Sequence, residues 1–132
     1  MVLCLKARES KSLPGITILM KKYVLVTGGA GFVGSNLIEY LLKKTKKKII
    51  SLDNYSTGLK KNHIINKKVK YISGNTSEIN KILFKYKKKI HTIFHFGEFA
   101  RIYQSFKKFD ECIKSNIIGS KAVFKFCLDN NI

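Results

Sequence analysis

A cluster of glycines stands between a short apolar run and the start of an amphipathic segment. The string from Thr27 to Gly34 reads TGGAGFVG, which fits G-x-G-x-x-G from Gly29 and G-x-x-G-x-x-G from Gly28. Residues without a Cβ let backbone N–H groups approach a pyrophosphate closely, and a helix that follows directs its N-terminus at the anion. We therefore predict a phosphate-binding turn, with a purely structural turn as the alternative; its residues are Gly28, Gly31, Phe32, Val33 and Gly34.

An acidic residue follows at a spacing that suits the same ligand. Asp53 ends an apolar segment and lies 19 residues after Gly34, near the ~20 at which dinucleotide sites place the acid that accepts ribose hydroxyls. A carboxylate there would repel a 2′-phosphate, and the turn contains no arginine to receive one. The prediction is NAD rather than NADP, and the alternative role of Asp53 is to cap the turn formed by residues 54–58.

These residues need a frame that brings them together, and the chain alternates strand-like with helix-like segments. Strands are predicted at 23–27, 48–53, 69–73 and 91–96, with helices at 32–44, 77–86 and about 109–130. This alternation predicts an α/β fold, a parallel sheet with helices on both faces and strand order 3-2-1-4. The inner face of the last helix is expected to carry Ile113, Ile117, Phe124 and Leu128.

Composition restricts the function classes. No apolar run approaches the ~18 residues of a membrane-spanning helix, so no membrane partner is predicted. The net charge is +18, but 24 of the 26 basic residues are lysine, whereas base readout favours arginine. We predict no specific nucleic-acid partner, and a basic nucleic-acid-associated protein stays the least favoured alternative.

Cysteine and histidine usage indicates neither a disulfide framework nor a metal site. The three cysteines contain no C-x-x-C pair, which favours a reducing, cytoplasmic location. His91 and His95 share one strand face, but no third ligand is evident. Residues 1–19 lack an uninterrupted apolar signal core, so we expect an extension outside the fold and a domain over 20–132.

Three strings together resemble the extended short-chain dehydrogenase/reductases, above all the NAD-dependent nucleotide-sugar epimerases and dehydratases such as the UDP-glucose 4-epimerases. They are the glycine turn, DNYSTG from Asp53 to Gly58, and IFHF from Ile93 to Phe96. The resemblance runs from about Lys21 to Ile132. It implies a Rossmann domain followed by a substrate lobe, NAD as a transient hydride store and a nucleotide-sugar substrate, and it leaves a homodimer open.

The resemblance also assigns residues to the NAD site. Asp53 and Asn54 would meet the adenosine ribose, and the side-chain oxygen of Asn75 would accept from the adenine amino group. Glu98 stands where the family has a small residue, so no cofactor contact is expected from it. The remaining cofactor residues implied are Ser56, Thr57, Gly58, Thr76, Phe96, Gly97, Ser115 and Asn116.

The catalytic residues of that family are not found in this chain. The chemistry needs a Ser or Thr and a Tyr-x-x-x-Lys pair after a fifth strand. Tyr40/Lys44 and Tyr103/Lys107 match by spacing, but both precede that place. We predict an enzyme by family whose catalytic helix and substrate domain are missing here, a fragment in which the strand at 91–96 is an open edge. The alternative is a stand-alone nucleotide-binding module without turnover.

Overall fold

A five-stranded sheet organises the chain, for which the computed structural model describes residues 3–6 and 21–132. The strands are β1 Leu3–Lys6, β2 Tyr23–Thr27, β3 Lys48–Asp53, β4 Val69–Ser73 and β5 Ile90–His95. Their order in the sheet is β1-β5-β2-β3-β4, and the last four pair in parallel. The predicted parallel sheet with order 3-2-1-4 is confirmed, since the predicted strands correspond to β2, β3, β4 and β5.

The helices connect the strands across both faces of the sheet. They are α1 Phe32–Lys44, α2 Ile79–Ile82, α3 Ile102–Lys107, α4 Phe109–Ile113 and α5 Ser120–Asn130, with a π-helical turn at Lys114–Gly119. Short 3-10 turns occur at Lys60–Asn62, Thr76–Glu78 and Lys87–Lys89. Across residues 3–6 and 21–132, no helix has the length and apolarity that crossing a membrane requires.

Two apolar layers hold the helices on the sheet, because successive residues of a strand point to opposite faces. On one face, Val24 and Val26 of β2 pack with Ile38 and Leu41 of α1. On the other, Leu25 packs with residues from β3, β5, α2, the position directly after α2, and α5: Ile50, Leu52, Ile79, Leu83, Ile90, Ile93, Val123, Phe126 and Cys127. Helices therefore cover both faces, as predicted.

The last helix buries a different face from the predicted one. Ile117, Phe124 and Leu128 are exposed, whereas Val123 and Phe126 are fully buried. The π-helical turn at Lys114–Gly119 explains the difference, because its wider turn carries an extra residue and shifts the face that follows. Extrapolation at a constant period of 3.6 residues per turn therefore identifies the wrong residues as the buried face of this helix.

The segment predicted to lie outside the fold contributes a strand. Leu3–Lys6 pairs antiparallel with β5, so that Leu3 lies opposite His95 and Lys6 opposite Thr92. The expected open edge of β5 is therefore covered, since an added strand satisfies N–H and C=O groups that an edge leaves unpaired. The other residues of the predicted extension lie outside the described residues. That the same protein also contains the catalytic helix and a substrate domain stays a prediction.

Candidate functional site

The glycine turn joins the end of β2 to the start of α1. Gly28 has a φ of +70°, and a Cβ at this position would lie 2.6 Å from the carbonyl oxygen of Phe96. The Gly31 N–H donates to the Gly28 carbonyl oxygen at 3.1 Å, which closes the turn. A Cβ at Gly34 would collide with that same oxygen. The close approach of turn, helix and β5 therefore requires glycine here.

Helix α1 begins with backbone donors that the helix itself does not use. Gly31 is its N-cap, with φ −79° and ψ 174°, and no side chain caps the helix. The Ser35 N–H donates to the Gly31 carbonyl oxygen at 3.0 Å, so the N–H groups of Phe32, Val33 and Gly34 precede the first i→i−4 bond. Together with the helix dipole, these donors favour an anion such as a diphosphate.

Asp53 lies beside this turn at the end of β3 and is only 7% exposed. Its Oδ2 accepts from the Ala30 N–H at 2.9 Å, and its Oδ1 accepts from the Tyr55 N–H at 2.8 Å. The carboxylate thus joins the glycine turn to the loop after β3, which is the capping role given above as the alternative. Each oxygen has a further lone pair, so the ribose contact stays a prediction compatible with this geometry.

The loop after β3 is held by short polar contacts. The Ser56 N–H donates to Asn54 Oδ1 at 3.0 Å, and Asn54 Nδ2 donates to Asn75 Oδ1 at 3.0 Å. A Cβ at Gly58 would lie 2.9 Å from Asp53 Oδ1, which explains a glycine there. The Asn75 oxygen, assigned to adenine by resemblance, therefore already accepts one hydrogen bond within the protein.

An aromatic cluster that sequence reasoning missed supports the same loop. Tyr55 has a φ of +58°, and its Oη lies 3.0 Å from His63 Nε2. The His63 ring stacks on Tyr71 with centroids 3.7 Å apart. Burial, and secondarily the Asp53 charge, raise the pKa of Tyr55, so its phenol stays protonated and can donate. No local pattern signals this cluster, because it joins residues from a turn, a loop and β4.

A buried polar network fixes the loop after β5. Thr27 Oγ1 accepts from the N–H groups of Phe96 and Gly97, both at 3.1 Å, and lies 2.6 Å from His95 Nδ1. His95 Nε2 lies 3.1 Å from Ser120 Oγ. Since Thr27 accepts twice, its hydroxyl donates to Nδ1, and His95 then donates from Nε2 to Ser120. Burial lowers the pKa of His95, which agrees with this neutral form.

The π-helical turn holds the same loop from the other side. Ser115 Oγ donates to the Gly97 carbonyl oxygen at 3.2 Å. Asn116 Oδ1 accepts from the Phe99 N–H at 2.6 Å, and Asn116 Nδ2 donates to the Phe99 carbonyl oxygen at 3.1 Å. Both residues that the resemblance placed at the cofactor thus bind this loop.

These parts meet in one groove at the carboxyl ends of the parallel strands, where α/β folds bind ligands. The residues of the predicted site that line it are Gly28, Gly31, Asp53, Asn54, Ser56, Thr57, Gly58, Asn75, Thr76, Phe96, Gly97 and Ser115. Phe32, Val33 and Gly34 follow at the start of α1, and Asn116 faces Phe99. The lining also includes residues that the predicted set omitted: Leu52, Gly74, Ser77, Glu98 and Lys114.

The two Tyr-x-x-x-Lys strings lie on helix surfaces. Tyr40 is 56% and Tyr103 is 74% exposed, and neither is among the residues that line the groove. Lys44 Nζ lies 5.8 Å from the Tyr40 ring centroid, and Lys107 Nζ lies 5.3 Å from that of Tyr103. Within the described ranges, no group of three or more His, Cys, Asp or Glu side chains could hold a metal ion.

The fold and the groove define a domain of the Rossmann type. Residues 24–132 match the sequence profile of the NAD-dependent epimerase/dehydratase family, and the chain belongs to that family. The resemblance inferred from the three strings is therefore confirmed.

Individual relatives agree with this assignment. The chain is 35% identical over 111 residues to dTDP-D-glucose 4,6-dehydratase of Dictyostelium discoideum, covering 79% of this chain and 25% of the relative. It is 30% identical over 112 residues to UDP-glucose 4-epimerase of Lactobacillus helveticus, covering 83% and 32%. The chain therefore spans about a third or less of the length of these relatives.

Solved structures share the fold. UDP-glucose 4-epimerase of Thermotoga maritima with UDP-glucose superposes with a TM-score of 0.72 at 26% identity, covering 83% of this chain and 35% of that one. The Bordetella bronchiseptica enzyme WbmG in complex with NAD gives a TM-score of 0.69 at 26% identity, covering 83% and 34%.

Proposed function

We propose that this chain binds NAD in the groove and is the cofactor-binding part of a nucleotide-sugar epimerase or dehydratase. The observation that carries the proposal is the turn between β2 and α1. Its glycines bring the strand, the helix and β5 together, and the N–H groups of Phe32, Val33 and Gly34 stand outside the intrahelical bonding. Membership of the NAD-dependent epimerase/dehydratase family supports the same ligand.

The groove residues have distinct tasks in this proposal. The N-terminus of α1 binds the diphosphate, and Asp53 with Asn54 binds the adenosine ribose, which favours NAD over NADP. Thr27, Ser115 and the His95 network hold the peptide groups of Phe96 and Gly97 still. When bound, NAD would supply a hydride acceptor for a sugar hydroxyl.

We propose that the whole protein oxidises a nucleotide sugar transiently and returns the hydride after epimerisation or elimination. The named relatives are a dTDP-D-glucose 4,6-dehydratase and a UDP-glucose 4-epimerase. The Ser or Thr and the Tyr-x-x-x-Lys pair are then expected in sequence that follows Ile132. Reading the coding DNA beyond that codon tests this: an in-frame strand and helix carrying that pair would support it, and an immediate stop codon would contradict it.

One observation favours a second candidate, a nucleotide-binding module that works without the substrate domain. Leu3–Lys6 covers the edge of β5, where a doubly wound sheet would pair its next strand. A module that works without the substrate domain needs the β5 edge to be covered in order to stay monomeric. The same DNA reading separates the two candidates.

We also propose a reducing, cytoplasmic location. Cys112 and Cys127 are free, and burial raises the pKa of the Cys127 thiol to about 11, so this thiol is a packing group rather than a thiolate. A homodimer stays a prediction.

Calorimetric titration of the folded chain with NAD, NADP and ADP-ribose tests the binding proposal directly. We expect NAD and ADP-ribose to bind with similar affinity, because the adenosine and diphosphate contacts come from described residues. NADP should bind more weakly because of Asp53. A chain that is folded by circular dichroism but takes up neither NAD nor ADP-ribose at millimolar concentration would refute the proposal.

A further inference from the structure

One cation, Lys114, is among the residues that line the groove. Lys114 belongs to the lining of the main groove and to that of a smaller adjoining pocket, which it shares with Asn54, Ser56 and Asn75. The other charged residues of the main lining, Asp53 and Glu98, are acidic. A dinucleotide or nucleotide sugar carries a diphosphate, so this acidic lining alone would oppose it.

The π-helical turn explains why Lys114 stands at this wall. Lys114 begins the turn that runs to Gly119, and Gly119 packs so closely on Thr76 that a Cβ there would collide with its hydroxyl oxygen. At the other end, Ser115 binds the Gly97 carbonyl oxygen. The turn is therefore anchored on both sides, and Lys114 extends from a fixed backbone position. π-helical turns often occur at functional sites.

The ammonium of Lys114 is available for a ligand. Within residues 21–132, several lysines on helices pair with an acid of their own helix, such as Lys43 with Glu39 and Lys125 with Asp129. The acid in the pocket beside Lys114 is Glu111, and it pairs with Lys108 at 3.3 Å. The Asp53 oxygens accept from Ala30 and Tyr55. The side chain of Lys114 makes no hydrogen bond or ion pair among the described residues, although its backbone N–H donates to the Asp110 and Glu111 carbonyl oxygens.

We propose that Lys114 is a phosphate-binding residue, whose ammonium binds a diphosphate oxygen of the nucleotide in the groove. This inference rests on the proposed function, since the ligand is a nucleotide that the groove holds. Lys114 lines the same groove as Gly28 and Gly31 of the glycine turn, so its side chain would add a cation to the N–H donors of α1. Lysine suits this task, because it is a compact point charge on a flexible stem. The phosphate belongs to NAD or to the nucleotide sugar, since both carry a nucleoside diphosphate.

Replacing Lys114 by methionine, and in parallel by arginine, tests the assignment in the full chain. Lys121→Met is the matched control, because Lys121 lies on the following helix outside the groove lining. Binding of NAD, ADP, UDP and adenosine is measured by calorimetry at low and moderate salt. We expect Lys114→Met to weaken a diphosphate ligand roughly tenfold, typical of one charge-assisted hydrogen bond in a partly exposed site. Lys114→Arg should retain most of the affinity, and adenosine should bind all variants equally.

The ligands separate the two sources of the phosphate. A loss for ADP and NAD assigns Lys114 to the cofactor, and a loss for UDP alone assigns it to the nucleotide sugar. The effect should shrink as salt rises, because the charge interaction is screened. Equal affinities of wild type and Lys114→Met for all three diphosphates, or an equal loss for adenosine, would overturn the inference. If the wild type binds none of these ligands, the proposed function itself fails. If the wild type and Lys114→Met bind them equally well, only this inference fails.

Discussion

Replacing Gly31 by aspartate would place a carboxylate at the N-cap of α1, where we propose that the cofactor diphosphate binds. Gly31 already has φ −79° and ψ 174°, the extended conformation from which an N-cap side chain accepts from the second or third helical N–H. Here those donors belong to Val33 and Gly34. The new Cβ would lie 3.2 Å from the Gly28 carbonyl oxygen, so a small adjustment accommodates it. The chain would then fill its own anion site.

Binding should weaken while stability changes little. An N-cap aspartate exceeds glycine by a few tenths of a kcal/mol, and its charge at the helix start adds about 0.3–1 kcal/mol. The close contact with the Gly28 carbonyl oxygen offsets part of these gains. The unfolding free energy should therefore stay within about 1 kcal/mol of the wild-type value. The diphosphate would lose at least one hydrogen bond from a backbone N–H of α1 to its charged oxygens, and such a bond is worth about 1.5–3 kcal/mol. NAD affinity should therefore fall by roughly 10- to 100-fold.

The assay combines NAD calorimetry with urea unfolding of wild type, Gly31→Asp and Gly31→Asn. Asparagine has the same shape and capping ability without the charge, so it is the matched control. The expected order of NAD affinity is wild type, then asparagine, then aspartate, and the gap between the two variants should narrow at high salt. A stable Gly31→Asp chain with undiminished NAD affinity would refute the reasoning, because the diphosphate could not then lie at this helix start.

Three further results are expected. Asp53→Ala should weaken NAD binding by about 1.5–3 kcal/mol, the worth of a hydrogen bond to a charged group. Equal or tighter binding of NADP by the wild type would contradict the assignment of Asp53 to the adenosine ribose. Deleting residues 1–6 uncovers β5, so sedimentation should show self-association that rises with concentration, and a monomeric deletion variant would contradict the edge argument. Burial lowers the pKa of His95, so the unfolded chain binds more protons in acid. The stability from neutral His95 is then complete above about pH 6.5 and lost as the pH falls through the lowered pKa; a Tm–pH profile unchanged in His95→Gln would exclude this contribution.

Local patterns in the sequence determined most of the parallel sheet and the position of the groove. The strands at 23–27, 48–53 and 69–73 and the helix at 32–44 match the structure, because short apolar runs and a 3.6-residue period are properties of neighbouring residues. The glycine turn is equally local, since its backbone path excludes side chains at Gly28 and Gly34. Parallel strands then bring these ends to one edge.

Contacts between distant segments decided the rest. Lys114 joins the groove because Gly119 packs on Thr76 and the helix widens there, and a regular helical period cannot foresee that register shift. The His63 ring supports the loop after β3 only because β4 places Tyr71 against it. Residues 3–6 are likewise a strand because β5 has an edge to cover. Their pairing with β5 depends on the assembled sheet, which a reading of neighbouring residues does not contain.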